Sequence, residues 1–181
     1  RMLVVFFSRP GENFNVGVVA EGSTAKLARI VAESAGAPMV RIVPNQPYPT
    51  GYDDAKQVIQ HELETQARPA IMLEALASEP FDAEQAIAAA DRIALGYPIW
   101  CGSLPMPVRT FLDEHDLGGK TILPFCTNEG SGLARTVDEL RNALPDSDIR
   151  PGLPVLGSTV QHDPTCARAA VAVWLDDHSS R

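Results

Sequence analysis

The sequence predicts a three-layer α/β fold, a five-stranded parallel sheet with helices on both faces. Two observations lead there. Short apolar runs of strand length alternate with helical patterns along the whole chain. The first run, Met2–Phe7 (MLVVFF), shows no polar alternation, as a strand covered on both faces requires. No repeat of twenty to fifty residues and no Ser/Gly linker interrupts the alternation, so residues 2–178 are expected to form one domain.

After the first strand, Ser23–Ala35 has Leu27, Ile30 and Val31 on one helical stripe, with Ser23 placed to cap it and Gly36 to stop it. Met39–Val43 (MVRIV) predicts a strand at or near an edge, because it carries Arg41, and Pro44 ends it. A helix is expected from about Asp53 towards Arg68, with Val58, Ile59 and Leu63 inward. Pro69–Pro80 reads as loop. Asp82–Ala90 predicts a short Ala-rich helix leading into a buried strand, Asp91–Gly96.

Pro105–Glu114 predicts a helix with prolines in its first turn, where they cost little, and with Val108, Phe111 and Leu112 on one face. Lys120–Phe125 (KTILPF) is the fourth strand, with Pro124 expected at the end where pairing stops. Ser131–Leu144 shows Leu133, Val137, Leu140 and Leu144 at helical spacing. Leu153–Gly157, broken up by Pro151, Gly152 and Pro154, is a weak fifth strand. Asp163–Asp177 closes the chain as a helix capped by Asp163, with Pro164 first and Ala167, Ala170, Val171 and Trp174 inward.

Composition excludes several classes of function. The 181 residues carry a net charge of −8, with 45% hydrophobic and 21% charged residues. Such an acidic chain, without a Lys/Arg cluster, is not built for nucleic acid or for an anionic membrane. Its apolar runs are too short for a membrane span, and its first residues lack a signal-peptide pattern. Cys101, Cys126 and Cys166 are an odd set without CxxC spacing. They form neither a disulfide framework nor a zinc site and suit a reducing cytoplasm. His61, His115, His162 and His178 are scattered, and no GxSxG elbow or GxxxxGK[ST] loop occurs.

An open parallel sheet binds ligands at the carboxyl ends of its strands, beside the switch in strand order. Three polar, Gly-bearing turns fall on that rim: Ser8-Arg9-Pro10-Gly11-Glu12-Asn13, Tyr97-Pro98-Ile99-Trp100-Cys101-Gly102 and Thr127-Asn128-Glu129-Gly130-Ser131-Gly132. Ser8, with Ser23 and Thr24 at the following helix start, offers hydroxyls and backbone N–H groups to a phosphate. Trp100 offers a plane for stacking. The third turn offers backbone N–H groups to the carbonyl oxygens of a heterocycle.

The segments VVFFSRPGEN (4–13), LGYPIWCGSLPMPVRTFL (95–112) and GKTILPFCTNEGSG (119–132) resemble the flavodoxin-like family of small FMN-binding flavoproteins. The resemblance runs in order from Met2 to about Leu144. It implies a doubly wound sheet in the strand order 2-1-3-4-5 and FMN as cofactor, its phosphate held by Ser8, Ser23 and Thr24 with Arg9 and Asn13 nearby. It places Pro98, Ile99, Trp100, Cys101 and Gly102 along one side of the isoalloxazine. Thr127, Asn128, Glu129, Gly130 and Gly132 would meet the pyrimidine edge, largely through backbone. The chemistry would then be the flavin's own, with no catalytic side chain.

Two departures from that family bear on function. Residues 11–22 are an insert that separates Ser8 from Ser23 and splits the phosphate loop. Residues 127–132 contain no aromatic residue, whereas electron-carrying flavodoxins usually sandwich the flavin between an aromatic from each loop. One flavin face would then be open to a nicotinamide or an organic acceptor, unless Phe14, Tyr48 or Tyr52 closes it. The leading expectation is therefore an FMN-dependent oxidoreductase passing electrons from NAD(P)H to a small acceptor such as a quinone. The alternatives are a flavodoxin-type carrier serving redox partner proteins and a relative that has lost its flavin. A homodimer is compatible with either redox reading. Glu129, beside the pyrimidine, would lower the flavin potential.

Overall fold

The computed structural model describes residues 1–178, the side chain of Glu12 excepted. In chain order the elements are β1 (Met2–Phe6), β2 (Gly11–Asn13), β3 (Gly17–Val19), α1 (Ser23–Ala35), β4 (Met39–Pro44), α2 (Tyr52–Thr65), β5 (Ile71–Leu76) and α3 (Ala83–Ala89). They continue with β6 (Arg92–Pro98), α4 (Met106–Glu114), β7 (Thr121–Asn128), α5 (Thr136–Ala143), β8 (Asp148–Ile149), β9 (Leu153–Leu156), α6 (Gly157–His162) and α7 (Pro164–His178).

The main sheet runs β5-β4-β1-β6-β7, and β7 pairs on its far side with β8 and β9. Its parallel strands β4, β1, β6, β7 and β9 reproduce the expected order 2-1-3-4-5. Alternate side chains of β1 divide the core, because successive residues of a strand point to opposite faces. Leu3, Val5 and Phe7 pack with Val108, Phe111, Leu112 and Leu140 of α4 and α5. Val4 and Phe6 pack with Leu27, Ile30 and Val31 of α1 and Val171 and Trp174 of α7. Each fully buried Leu, Ile, Val or Phe stabilises the fold by roughly 1.5–3 kcal/mol relative to exposure, so both faces contribute.

Several expectations are corrected. Residues 71–76 are not loop but β5, an antiparallel edge strand against the whole length of β4. That leaves β4, with Arg41, one strand in from the edge. The fifth strand is split. β8 pairs with Thr121 and Ile122, and β9 with Phe125 to Asn128. Pro124 therefore lies inside β7, opposite the break between β8 and β9, where its missing N–H leaves no ladder bond unmade. The chain over 131–135 is turn, so α5 begins at Thr136. Val58 of α2 is exposed, and Ala55 is the buried residue there. Residues 157–162, for which no element was expected, form α6.

Ser23 is not the cap of α1. Gly22 holds the cap position without a side-chain bond, and the Ser8 Oγ accepts the Ala25 N–H at 3.0 Å instead. At the other end Gly36, at φ +62°, closes α1 as expected, with the Ala37 N–H donating to the Ala32 carbonyl at 3.0 Å. The 11–22 insert folds as a β2-β3 hairpin with its own pairing, Gly11 opposite Val19 and Asn13 opposite Gly17.

Candidate functional site

A cavity of about 410 Å³ opens at the carboxyl ends of β1, β6 and β7, the three strands whose following turns are the polar ones. Its size lies within the roughly 300–1,000 Å³ of small-molecule sites. Ser8, Arg9, Asn13, Ser23, Thr24, Pro98, Ile99, Trp100, Cys101, Thr127, Asn128 and Glu129 line it, twelve of the fifteen residues the sequence singles out. Gly102, Gly130 and Gly132 do not line it; they shape its loops.

At one end the hydroxyls of Ser8, Thr24 and Thr127 gather in the interior. All three residues are buried, and the Thr24 and Thr127 Oγ1 atoms lie 2.7 Å apart, tying the start of α1 to the end of β7. Gly22 makes room here: a Cβ on it would sit 2.3 Å from the Ser8 Oγ. The first turn of α1 leaves backbone N–H groups without partners inside the helix, and its dipole favours an anion at that end.

The second loop turns sharply at Cys101 and Gly102, both at positive φ (+52° and +74°), while Trp100 and Ser103 exchange backbone hydrogen bonds of 3.1 and 3.0 Å. Two consecutive left-handed residues make a tight two-residue hairpin turn, and glycine at the second position suits it. The Arg135 guanidinium braces the turn, donating to the Cys101 carbonyl at 3.1 Å and the Ser103 Oγ at 2.7 Å. Trp100 is held edge-on by Tyr48 (4.9 Å between ring centroids) and Phe7 (5.1 Å). The Tyr48 hydroxyl donates to the Glu62 Oε2 at 2.7 Å, and burial raises the Tyr48 pKa well above its ordinary value. Tyr48 thus backs Trp100 from inside the fold and is absent from the cavity wall.

The third loop is organised by Asn128. Its Oδ1 accepts the N–H groups of Gly130 (2.9 Å) and Gly132 (3.1 Å), and its Nδ2 donates to the Val155 carbonyl at 3.3 Å. Those two glycine N–H groups serve the loop itself and do not face a ligand. Glu129 accepts the Ser158 N–H at 2.8 Å, and the Ser158 hydroxyl donates to its other oxygen at 3.4 Å. Its carboxylate caps the first turn of α6, a role distinct from tuning a heterocycle.

Arg9 is likewise committed. It is buried, and its guanidinium donates to the carbonyls of Pro49 (2.7 Å), Thr50 (2.9 Å) and Gly51 (3.3 Å) and to the Asn13 Oδ1 at 3.4 Å. It fastens the hairpin to the start of α2. The remaining wall comes from residues outside the three rim turns: Phe14 and Val16 of the hairpin, and Tyr52, Ala55, Lys56 and Ile59 of α2. The Phe14 and Tyr52 rings stand 6.0 Å apart, tilted by 32°. The spacing of Tyr52, Ala55, Lys56 and Ile59 on one helix face was a readable signal, but nothing in the sequence says that this face turns to the rim. Ser131 and Gly157 also line the cavity. Among the described residues no cluster of His, Cys, Asp or Glu has the makings of a metal site.

The sequence profile of the flavodoxin family matches residues 14–176. The chain belongs to the flavodoxin family. A protein of Bacteroides eggerthii assigned as a flavoprotein has the same fold (TM-score 0.75, 26% identity), covering 100% of this chain and 99% of that one. The flavoprotein of Lactobacillus acidophilus, solved in complex with FMN, is similar at TM-score 0.62 and 17% identity over 89% of this chain and 96% of its own. An NADH:FMN oxidoreductase in its apo form is similar at TM-score 0.54 and 18% identity, over 99% and 91%. No functionally curated protein matches the chain. No helix of this flavodoxin-family chain, among the described residues, is long and apolar enough to cross a membrane.

Proposed function

We propose that the chain binds FMN in this cavity and works as an oxidoreductase that takes electrons from NAD(P)H and gives them to a small organic acceptor such as a quinone. The observation that carries the reading is the set of groups that line the cavity. Buried hydroxyls and the start of α1 share the cavity wall with the Trp100 ring, the donor set that a phosphate tail and a planar ring require.

In this reading Ser8, Ser23 and Thr24 hold the phosphate, with Gly22 keeping the approach to Ser8 open. The Ser8 Oγ already accepts the Ala25 N–H, which leaves its own proton for donation. Pro98, Ile99, Trp100 and Cys101 orient the ring, and Asn128 fixes the loop that borders it. Arg9 and Glu129 act on the protein frame. Bound flavin supplies the electron chemistry. Two titratable groups of the strands beneath the site are engaged within the fold: the Tyr97 hydroxyl donates to the Thr136 Oγ1 at 2.8 Å, and burial pushes the Cys126 thiol up to about 12. The protein's contribution in this reading is binding and orientation.

The absence of an aromatic residue from 127–132 supports a reductase over a pure carrier, because that loop puts no ring in the way of a second planar molecule. The net charge of −8 supports the carrier reading, through docking to a basic redox protein. Titration of the purified chain with FMN, followed by quenching of flavin fluorescence, tests the cofactor. Stoichiometric binding is expected, and no binding by folded protein overturns both redox readings. Oxidation of NADH or NADPH by the loaded protein with a quinone present tests the reductase. If neither nucleotide is oxidised, and turnover with a redox partner protein falls with salt, the carrier reading replaces it.

A further inference from the structure

We propose that α2 and the hairpin build a second subsite in the same cavity, for a planar aromatic molecule that carries an anionic group. The inference rests on the FMN reading and names the chemistry of what exchanges electrons there. The cofactor segments do not supply this wall. Its rings are Phe14, which is 57% exposed, and Tyr52 beside it. Lys56 follows Tyr52 by four residues, one turn along the same face of α2, and lines the cavity with it.

The charge on the wall gives the inference its sign. Among the ionisable residues lining the cavity, Arg9 is spent on the backbone of residues 49–51 and Glu129 on the first turn of α6. The chain has three lysines. Lys26 is bonded to Gln161, and Lys120 to the carbonyls of Ala88 and Ala90. Lys56 makes no hydrogen bond or ion pair among the described residues, so the uncommitted charge on the cavity wall of an acidic protein is positive. A ring resting on Phe14 and Tyr52 with an acidic substituent reaching Lys56 satisfies both features. A reduced nicotinamide nucleotide and an acidic quinone share that chemistry.

The test uses FMN-loaded protein. Calorimetry with 2-naphthalenesulfonate, a redox-inert aromatic anion, is set beside its neutral analogue 2-naphthalenemethanol. Lys56→Gln is expected to weaken sulfonate binding about fivefold, the size suited to an exposed pair, and Lys56→Glu to weaken it about twentyfold. Neither should change the affinity for the neutral analogue or for FMN. Phe14→Ala should weaken both aromatic probes equally. In turnover, a raised KM for NAD(P)H in Lys56→Gln identifies the donor as the occupant, and a raised KM for a sulfonated quinone alone identifies the acceptor. Equal binding of the sulfonate by wild type and both lysine variants overturns the subsite while leaving the FMN reading intact. A loss of FMN affinity in Lys56→Gln also overturns it, by making Lys56 a phosphate ligand. A chain that binds no FMN brings down both.

Discussion

The loop after β7 and the hairpin after β1 border the same cavity and are held by opposite means. In the first, Asn128 satisfies two backbone N–H groups of its own loop and reaches β9, while Glu129 fastens the loop to α6. In the second, two three-residue strands pair only with each other, and Phe14 and Val18 remain 57% and 80% exposed. The difference separates two tasks. A loop whose polar groups are satisfied internally is set before any ligand arrives, which suits a resident cofactor. A hairpin that leaves apolar side chains in water adjusts to molecules that come and go.

Damage to the two regions should therefore differ in kind. Asn128→Ala should have the largest effect, a loss of about 3 kcal/mol in denaturant unfolding with FMN affinity falling more than tenfold, because buried donors and acceptors are left unpaired. Thr24→Val, which leaves the buried Thr127 hydroxyl without its 2.7 Å partner, should cost about 1–2 kcal/mol in the same assay and weaken FMN as well. Glu129→Gln removes charge from the start of α6 and should cost about 0.5–1 kcal/mol. In that variant the flavin midpoint potential is expected to stay close to wild type, because the carboxylate serves α6. Phe14→Ala should change unfolding free energy by less than about 0.5 kcal/mol, as for other exposed substitutions. A hairpin variant that unfolds as easily as Asn128→Ala would erase the distinction.

The thiols sharpen the same comparison. Cys101 and Cys166 are exposed and Cys126 is buried within β7. Iodoacetamide at pH 8 should modify the first two and spare the third until the protein unfolds. Burial raises the Cys126 pKa from 9.0 to about 12, so the folded state keeps a proton that the unfolded state gives up. The unfolded state then binds fewer protons above pH 9, and stability should fall as pH rises from about 9 towards 12. A denaturation midpoint flat over that range would contradict the assignment.

The parallel core was legible because its signals are local. MLVVFF declares a doubly covered strand, and the stripe Leu27, Ile30, Val31 declares a helix face. β5 was not. Ile71–Leu76 is an edge strand with half-buried alternation and prolines on either side, and its pairing is made by β4, some thirty residues away. At the site, residue types were readable but commitments were not. Arg9 and Glu129 sit where a ligand contact was expected, yet their partners lie about 40 and 29 residues away in sequence. Such pairings are products of the closed fold. The hairpin escaped for another reason, since three-residue strands are too short to leave a pattern.

The split in the fifth strand reaches beyond the site. A sheet edge is a template on which other chains can polymerise, and proteins blunt it with prolines and short strands. Here the edge beside β7 offers two residues in β8, an interruption at Pro151 and Gly152, and four residues in β9 with Pro154 among them. No neighbouring molecule finds a continuous ladder there to extend. The opposite edge, β5, runs six residues without a proline and leaves Met72 60% exposed. The edge open to strand addition is therefore on that side, away from the split edge beside β7.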